Sequence, residues 1–294
     1  MERLIFTNAR GESVTFGASA PFEIITVDGL GDVSAETISQ KSAFQDGSTY
    51  IDSTLDERVI EITLLIHVLD YSRVVAARQR LSAVMNPKLG LGTLRYEGGG
   101  VIREIQAVAE SIPRFPDGTQ NRGERFQKVS LTLIAPDPYW RQPEDTKTEI
   151  ALWEPLFEFE LEIPEDTGIE FGVRTETFIV NVKNDGHVDT GMIIKFRATG
   201  TVVNPSLFNV NTQEWIKLNY TMTAGEIITI NTNRGQKRIE STLNGVTTNI
   251  FNSIARGSTF LQLEIGDNLL RYDADENING LEVDIYHASK YVGV

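Results

Sequence analysis

LTLIAPDPYW, residues Leu131–Trp140, is the stretch whose reading decides the architecture. It opens as a strand. Val129, Leu131 and Leu133 alternate with Ser130, Thr132 and Ile134, the period-two pattern of a chain with one face in a core. It stops at Pro136 and Pro138, because each proline lacks a backbone donor and cannot extend a ladder. Asp137 between them is a turn residue whose carboxylate accepts from nearby N–H groups. Tyr139 and Trp140 place two large aromatic surfaces directly after the break. Pro136, Asp137, Pro138, Tyr139 and Trp140 therefore read as an inter-domain corner. The polar, proline-containing RQPEDTKTE that follows reads as a linker. The expected division is a first domain at 1–140, a linker at 141–149 and a second domain at 150–294.

The 294 residues, 40% of them hydrophobic, suffice for two domains with proper cores. There is no cysteine, which rules out disulfides and thiolate metal sites. No apolar run is long enough to span a bilayer, and MERLIFTNARGE lacks the pattern of a signal peptide. Net charge is −14, with 14 basic and 18 acidic residues through Trp140 and 13 and 23 after it. Neither half carries the positive field that holds phosphate backbones. The same acidity argues against anionic membranes as a partner.

In the first half, RLIFTN and SVTF around Gly11 read as a hairpin, and PFEIITVDGL as a strand ending at Asp28-Gly29. Residues 33–44 are polar and alternate only weakly, before a turn signal at Asp46-Gly47. ERVIEITLLIHV, residues 57–68, is the strongest strand of this half. One helix is expected over about 70–86: Asp70 is its N-cap, Tyr71, Val74, Ala77, Leu81 and Val84 recur at helical spacing, and Asn86-Pro87 stops it. A strand pair flanks Gly98-Gly99-Gly100. Residues 113–126, PRFPDGTQNRGERF, are nearly empty of core residues and read as a protruding arm built on Arg114, Phe115, Asp117, Gly118, Arg122 and Arg125. A disordered surface loop is the alternative.

In the second half, residues 150–163 alternate Phe157, Phe159 and Leu161 with Glu158, Glu160 and Glu162, as a strand with an acidic outer face. Short strands with turn residues about every ten positions follow to the end, the pattern of an antiparallel β-sandwich. The fold class is thus mainly β with a single helix.

The chemistry-bearing patterns are weak. The row Glu158, Glu160, Glu162 is explained by strand alternation, and no pair among 41 acidic residues stands out as the two carboxylates of a glycosidase. His67, His187 and His287 lack metal-ligand spacing and read as structural. The glycine triplet lacks the Lys-Ser/Thr of a phosphate loop. Asp185 to Gly191 shares only its letters with a calcium loop. There is no nucleophile motif. No catalytic residue, metal or cofactor is expected. Trp153, Trp215 and Tyr220 are the aromatics on which a sugar ring would stack, although burial in a core is the commoner fate of such residues.

Several stretches in order resemble the siphophage distal tail protein (Dit) family: Phe6-Thr7-Asn8, Val27-Asp28-Gly29-Leu30, Arg58, Asn86-Pro87, Pro136 to Trp140, Asn184 to Gly191, Asn204-Pro205 and Gly266-Asp267-Asn268. The resemblance implies a tail-tube-like β-sandwich or split-barrel belt domain at 1–140 and a galectin-like β-sandwich at 150–294. It implies a non-enzymatic hub in the virion, a hexameric ring of the chain with itself. That ring joins the tail tube protein to tail-associated, baseplate or receptor-binding proteins. DNA passes through without specific binding, and no membrane is a partner. It also implies synthesis in the bacterial host cytoplasm. A carbohydrate-binding module acting on host cell-wall saccharides is the competing reading, and a polysaccharide hydrolase ranks last.

Overall fold

The computed structural model describes residues 2–150 and 179–294, with the backbone of Trp153–Glu154 and Val173–Arg174 between them. The chain divides into two compact units, Met1–Pro143 with Lys290–Val294, and Glu144–Ser289. Two details differ from the division read from sequence. Thr146–Glu149 is a strand of the second unit rather than free linker, and the last five residues belong to the first unit.

The first unit is organised around one strand, β6 (Arg58–His67). Its Ile60, Ile62, Leu64 and Ile66 point inward and are at most 1% exposed. Flanked on both sides, β6 pairs along its whole length with β9 (Phe126–Ala135), and on its other edge with β3 (Phe22–Asp28). From β9 the sheet continues through β8 (Val101–Ala109), β7 (Gly92–Gly98), β1 (Arg3–Thr7) and β2 (Ser13–Phe16). The end strands touch at one parallel bridge, Gly17 with Glu23. The sheet therefore curls into a barrel that is split along the rest of that seam.

The helix α1 (Tyr71–Val84) lays Val74, Ala77, Leu81 and Val84 on the core, the three- and four-residue spacing of one helical face. Asp70 caps it, accepting from the Arg73 N–H at 3.0 Å. The helix stops two residues short of the sequence limit because Met85 already turns out of helical geometry ahead of Asn86-Pro87.

At the first residue of β6 lies a fully buried charge, Arg58. Its Nε donates to the Pro138 carbonyl at 2.8 Å. Its Nη1 donates to the carbonyls of Gly29 at 2.9 Å, Leu30 at 3.3 Å and Asp32 at 2.8 Å, and its Nη2 to that of Val292. A guanidinium offers five donors in one plane. Here they join the turn after β3, the proline corner and the C-terminal tail. Burial pulls the ionisation of Arg58 down and the Asp32 carboxylate opposes that pull. Gly29 lies at φ +90°, where a Cβ would stand 2.0 Å from the Val59 carbonyl oxygen, so this turn requires glycine.

The proline corner is part of the same knot. Trp140 is buried, packs edge-on against Tyr96 at 6.5 Å and donates its Nε1–H to the Leu30 carbonyl at 3.0 Å. β10 (Trp140–Arg141) pairs with Lys290–Tyr291. Lys290 Nζ reaches Asp137 at 2.7 Å and lies 5.6 Å from the centre of the Tyr139 ring. Pro138 and Trp140 are thus buried at the corner, while Pro136 and Asp137 are exposed and Tyr139 is half-buried.

The second unit packs two antiparallel sheets. One runs in the order Thr146–Glu149, Leu281–His287, Ile193–Ala198, Ile227–Asn231, Arg238–Leu243 and Val246–Asn249. The other runs Ile179–Asn184, Gly266–Asp273, Ser206–Asn209 and Trp215–Lys217. Ile194 and Phe196 from the first sheet share one core with Leu270 and Tyr272 from the second, as in a β-sandwich. The turn after Asn184 is held by that buried side chain, which donates to the Val188 carbonyl at 2.9 Å and accepts from the Gly186 N–H at 3.0 Å. The expected acidic strand at 150–163, with Glu158, Glu160 and Glu162, lies almost wholly outside the described residues.

Replacing Arg58 by methionine removes the guanidinium bonds to the carbonyls of Gly29, Asp32, Pro138 and Val292, while Leu30 keeps the bond from Trp140. The expected loss of unfolding free energy is about 3–5 kcal/mol, read from denaturant unfolding of the full chain. Arg58→Lys is expected to recover little of it, because an ammonium is a point donor. A loss below about 1 kcal/mol for the methionine variant would show that the knot does not hold the unit together.

Candidate assembly surfaces

A second element leaves the Arg58 end of β6. The strands β4 (Ala35–Gln40) and β5 (Thr49–Leu55) pair with each other and with no other described strand. Every residue of the two strands except Leu55 is exposed. Among them are Ile38, Tyr50 and Ile51, and at the tip Phe44 is fully exposed with φ +64°. From Ala35 to Glu57 there are five acidic residues and one lysine. Sequence reasoning found only the Asp46-Gly47 turn here. A ribbon with both faces in water has no buried side to impose alternation, so the usual strand signal is missing. The available clue was the turn itself, set between two runs that carry Ile, Thr and Tyr.

The segment 113–126, read from sequence as a protruding arm, is closed on itself. Arg114 exchanges backbone hydrogen bonds with Ser130 at 2.8 and 3.0 Å. Phe115 packs on the core beneath the guanidinium of Arg78, 4.8 Å from its ring centre. Asp117 pairs with Arg122 at 2.7 Å, and Gly118 turns the chain at φ +97°. The Arg125 carbonyl accepts from the Val68 N–H at 2.9 Å. Gln127 is buried and donates to the carbonyls of Pro116 at 2.9 Å and Asn121 at 3.3 Å. One buried amide thus supplies the order that the polar composition hides.

Of the three sugar-stacking candidates, the Trp153 side chain lies outside the described residues. Tyr220 packs against the sandwich core, and its hydroxyl donates to the Glu226 carboxylate at 2.8 Å. Burial pushes the Glu226 carboxyl up, but hydrogen bonds from Ser241, Thr223 and Tyr220 together hold it below the usual range. Both residues are therefore committed to the interior. Trp215 is half-buried on the outer face of the second sheet. Its register places it in a row across four strands, Ile179, Arg271, Phe208 and Trp215, with the Arg271 guanidinium 5.4 Å from the Phe208 ring centre.

The split seam of the first unit opens a cleft of about 470 Å³, lined mainly by Leu4, Ile24, Ile25, Val27, Leu30 and Tyr96. Glu2 is the one carboxylate lining it and accepts from the Tyr96 hydroxyl at 3.1 Å. A glycosidase needs two carboxylates across the scissile bond. In the second unit, His287 is buried with its Nε2 3.1 Å from the Lys183 carbonyl oxygen, and no hydrogen-bond partner at Nδ1.

Among the described residues the split barrel and the β-sandwich bring together no pair of carboxylates across a cleft and no cluster of metal ligands. Residues 9–135 match the phage tail protein RIFT-related domain, and residues 185–291 match the siphovirus-type tail component, C-terminal domain. The two matches together span most of the chain, which belongs to the distal tail proteins of siphophages. Its fold is similar to that of the Dit protein of phage SPP1, described as a paradigm of the hub adsorption apparatus in phages that infect Gram-positive bacteria. The TM-score is 0.69 at 15% identity, over 99% of each chain. It is also similar to a chain of the phage P2 baseplate in its activated conformation. With calcium the TM-score is 0.57 at 10% identity, over 100% of this chain and 99% of that one. With strontium it is 0.55 at 11% identity, over 100% of both. No curated protein sequence matches the chain.

Burial holds the His287 imidazole below its ordinary pKa, against the Lys183 carbonyl and the charges of Asp145 and Asp185. The unfolded chain therefore takes up this proton first, near pH 6.5. The stability tied to His287 is present above that pH and is lost as pH falls toward the lower folded value. The thermal midpoint of the wild type is expected to drop more steeply between pH 7 and pH 5 than that of His287→Gln. Parallel pH profiles would remove His287 as the cause.

Proposed function

We propose that this distal tail protein closes into a hexameric ring around the DNA exit channel, joining the tail tube protein on one side to baseplate or receptor-binding proteins on the other. The β4–β5 hairpin carries the reading. A lone two-stranded ribbon is marginal in water. This one exposes four large apolar side chains, Ile38, Phe44, Tyr50 and Ile51, and leaves both outer strand edges without a described partner. A cyclic array of head-to-tail copies covers such an element once per subunit and leaves none over. The hub and baseplate roles of the similar structures support the same reading. The overall negative charge suits a channel that must pass DNA without holding it. A cysteine-free chain is suited to synthesis in the reducing host cytoplasm before it enters the virion.

Light scattering on the purified chain is expected to give six times its 32.8 kDa mass, and electron micrographs to show six-fold rings. A chain that stays monomeric at high micromolar concentration overturns the ring.

A second reading, binding of cell-wall saccharide by the sandwich, is favoured by the row of Arg271, Phe208 and Trp215. Aromatic faces beside a guanidinium are suited to a sugar ring. It predicts retention of the full chain on a glycan array or on cell walls, lost on Trp215→Ala. Retention unchanged in that variant argues against this face.

A further inference from the structure

We infer that the acidic β4–β5 hairpin of one copy docks on a basic face of the next, formed by the outer side of α1 and the 113–126 loop. This rests on the ring reading and names its interface.

The two surfaces lie at opposite ends of the same strand. The hairpin enters β6 at Arg58. At its other end His67 leads to α1 and pairs with Phe126, where the loop returns to the sheet. Ten strand residues separate those ends by about 30 Å. The hairpin's own strands are six and seven residues long and wholly exposed on nearly every position, so it does not lie back over its own helix. One copy thus presents a projecting element at one end and a receiving face at the other, the arrangement a heterologous ring contact needs.

The surfaces match in charge. The helix has three arginines and no acidic residue, and the segment 112–128 adds four basic residues against two acidic ones. The loop is fastened to the helix region at two points, by Arg78 over Phe115 and by the Val68–Arg125 backbone bond, so these cations form one surface. The chain as a whole carries −14, which makes a local basic face the exception, and the hairpin brings three acids to it, Glu36, Asp46 and Asp52, against the single Lys41. They match in apolarity as well. Leu69 is 70% exposed and Tyr71 50% exposed at the start of the helix, beside the basic residues. Phe44 at the hairpin tip has no contact of its own to lose.

The test is charge reversal in the full chain. Asp46→Lys with Asp52→Lys on the hairpin, or Arg73→Glu with Arg125→Glu on the receiving face, is expected to convert the ring to monomer. All four changes in one chain are expected to restore it. Phe44→Ser, at a position with no intrachain packing, is expected to raise the assembly midpoint concentration about tenfold or more. Added salt is expected to weaken the wild-type ring. If the reversed chains, folded by circular dichroism, assemble as the wild type does, or if the fourfold variant is not restored, the interface is wrong while the ring reading stands. If the wild type itself never assembles, both fall.

Discussion

The buried guanidinium of Arg58 is the interaction on which the first unit depends. A charge removed from water must find compensation within reach. Here it comes from five backbone carbonyls on three separated stretches, with Asp32 nearby as counter-charge. The turn at Gly29, the proline corner and the tail at Val292 are each held because the same planar donor set holds the others. The chain leaves this unit at Pro143 and re-enters it at Lys290. The second unit is in effect inserted between two strands, Trp140–Arg141 and Lys290–Tyr291, that pair with each other.

The same residue stands at the root of the projecting hairpin. Strand β6 therefore has a rigid end and sends out an exposed ribbon from it, while its other end passes to the capped helix. A ribbon with no core of its own can hold a direction only if its base is fixed. The knot at Arg58, with the close approach of Gly29 to Val59, supplies that base. The distribution of charge follows the same axis, acidic at the ribbon and basic around the helix. An overall count of −14 conceals this, because the two ends partly cancel within one unit.

Much of the architecture was legible because it is written in local periodicity. The alternation of Ile60, Ile62, Leu64 and Ile66 located the central strand, and Asp70 with Val74, Ala77 and Leu81 located the helix. The spaced turn residues of the second half pointed to a sandwich. Less of the candidate surfaces could be read. The hairpin has no buried face and hence no pattern. The 113–126 loop looks disordered by composition, yet one buried amide, that of Gln127, orders it. Tyr220, which stacks on a sugar only if exposed, has the commoner fate of such aromatics: it packs on the core and its hydroxyl is tied to Glu226.

By itself the sequence determined the fold class, the two-part organisation and the family resemblance. These rest on near-neighbour chemistry: side-chain alternation, prolines that end ladders, glycines that permit turns. Only the tertiary structure decided that Trp140 seals a core rather than facing outward, and that residues 290–294 complete the first unit. It alone showed which exposed segment projects. Each of these is a contact between residues far apart in the chain, Arg58 with Val292 or Trp140 with Leu30. No local pattern encodes such a pairing, because its free energy appears only when the separated groups are brought out of water together.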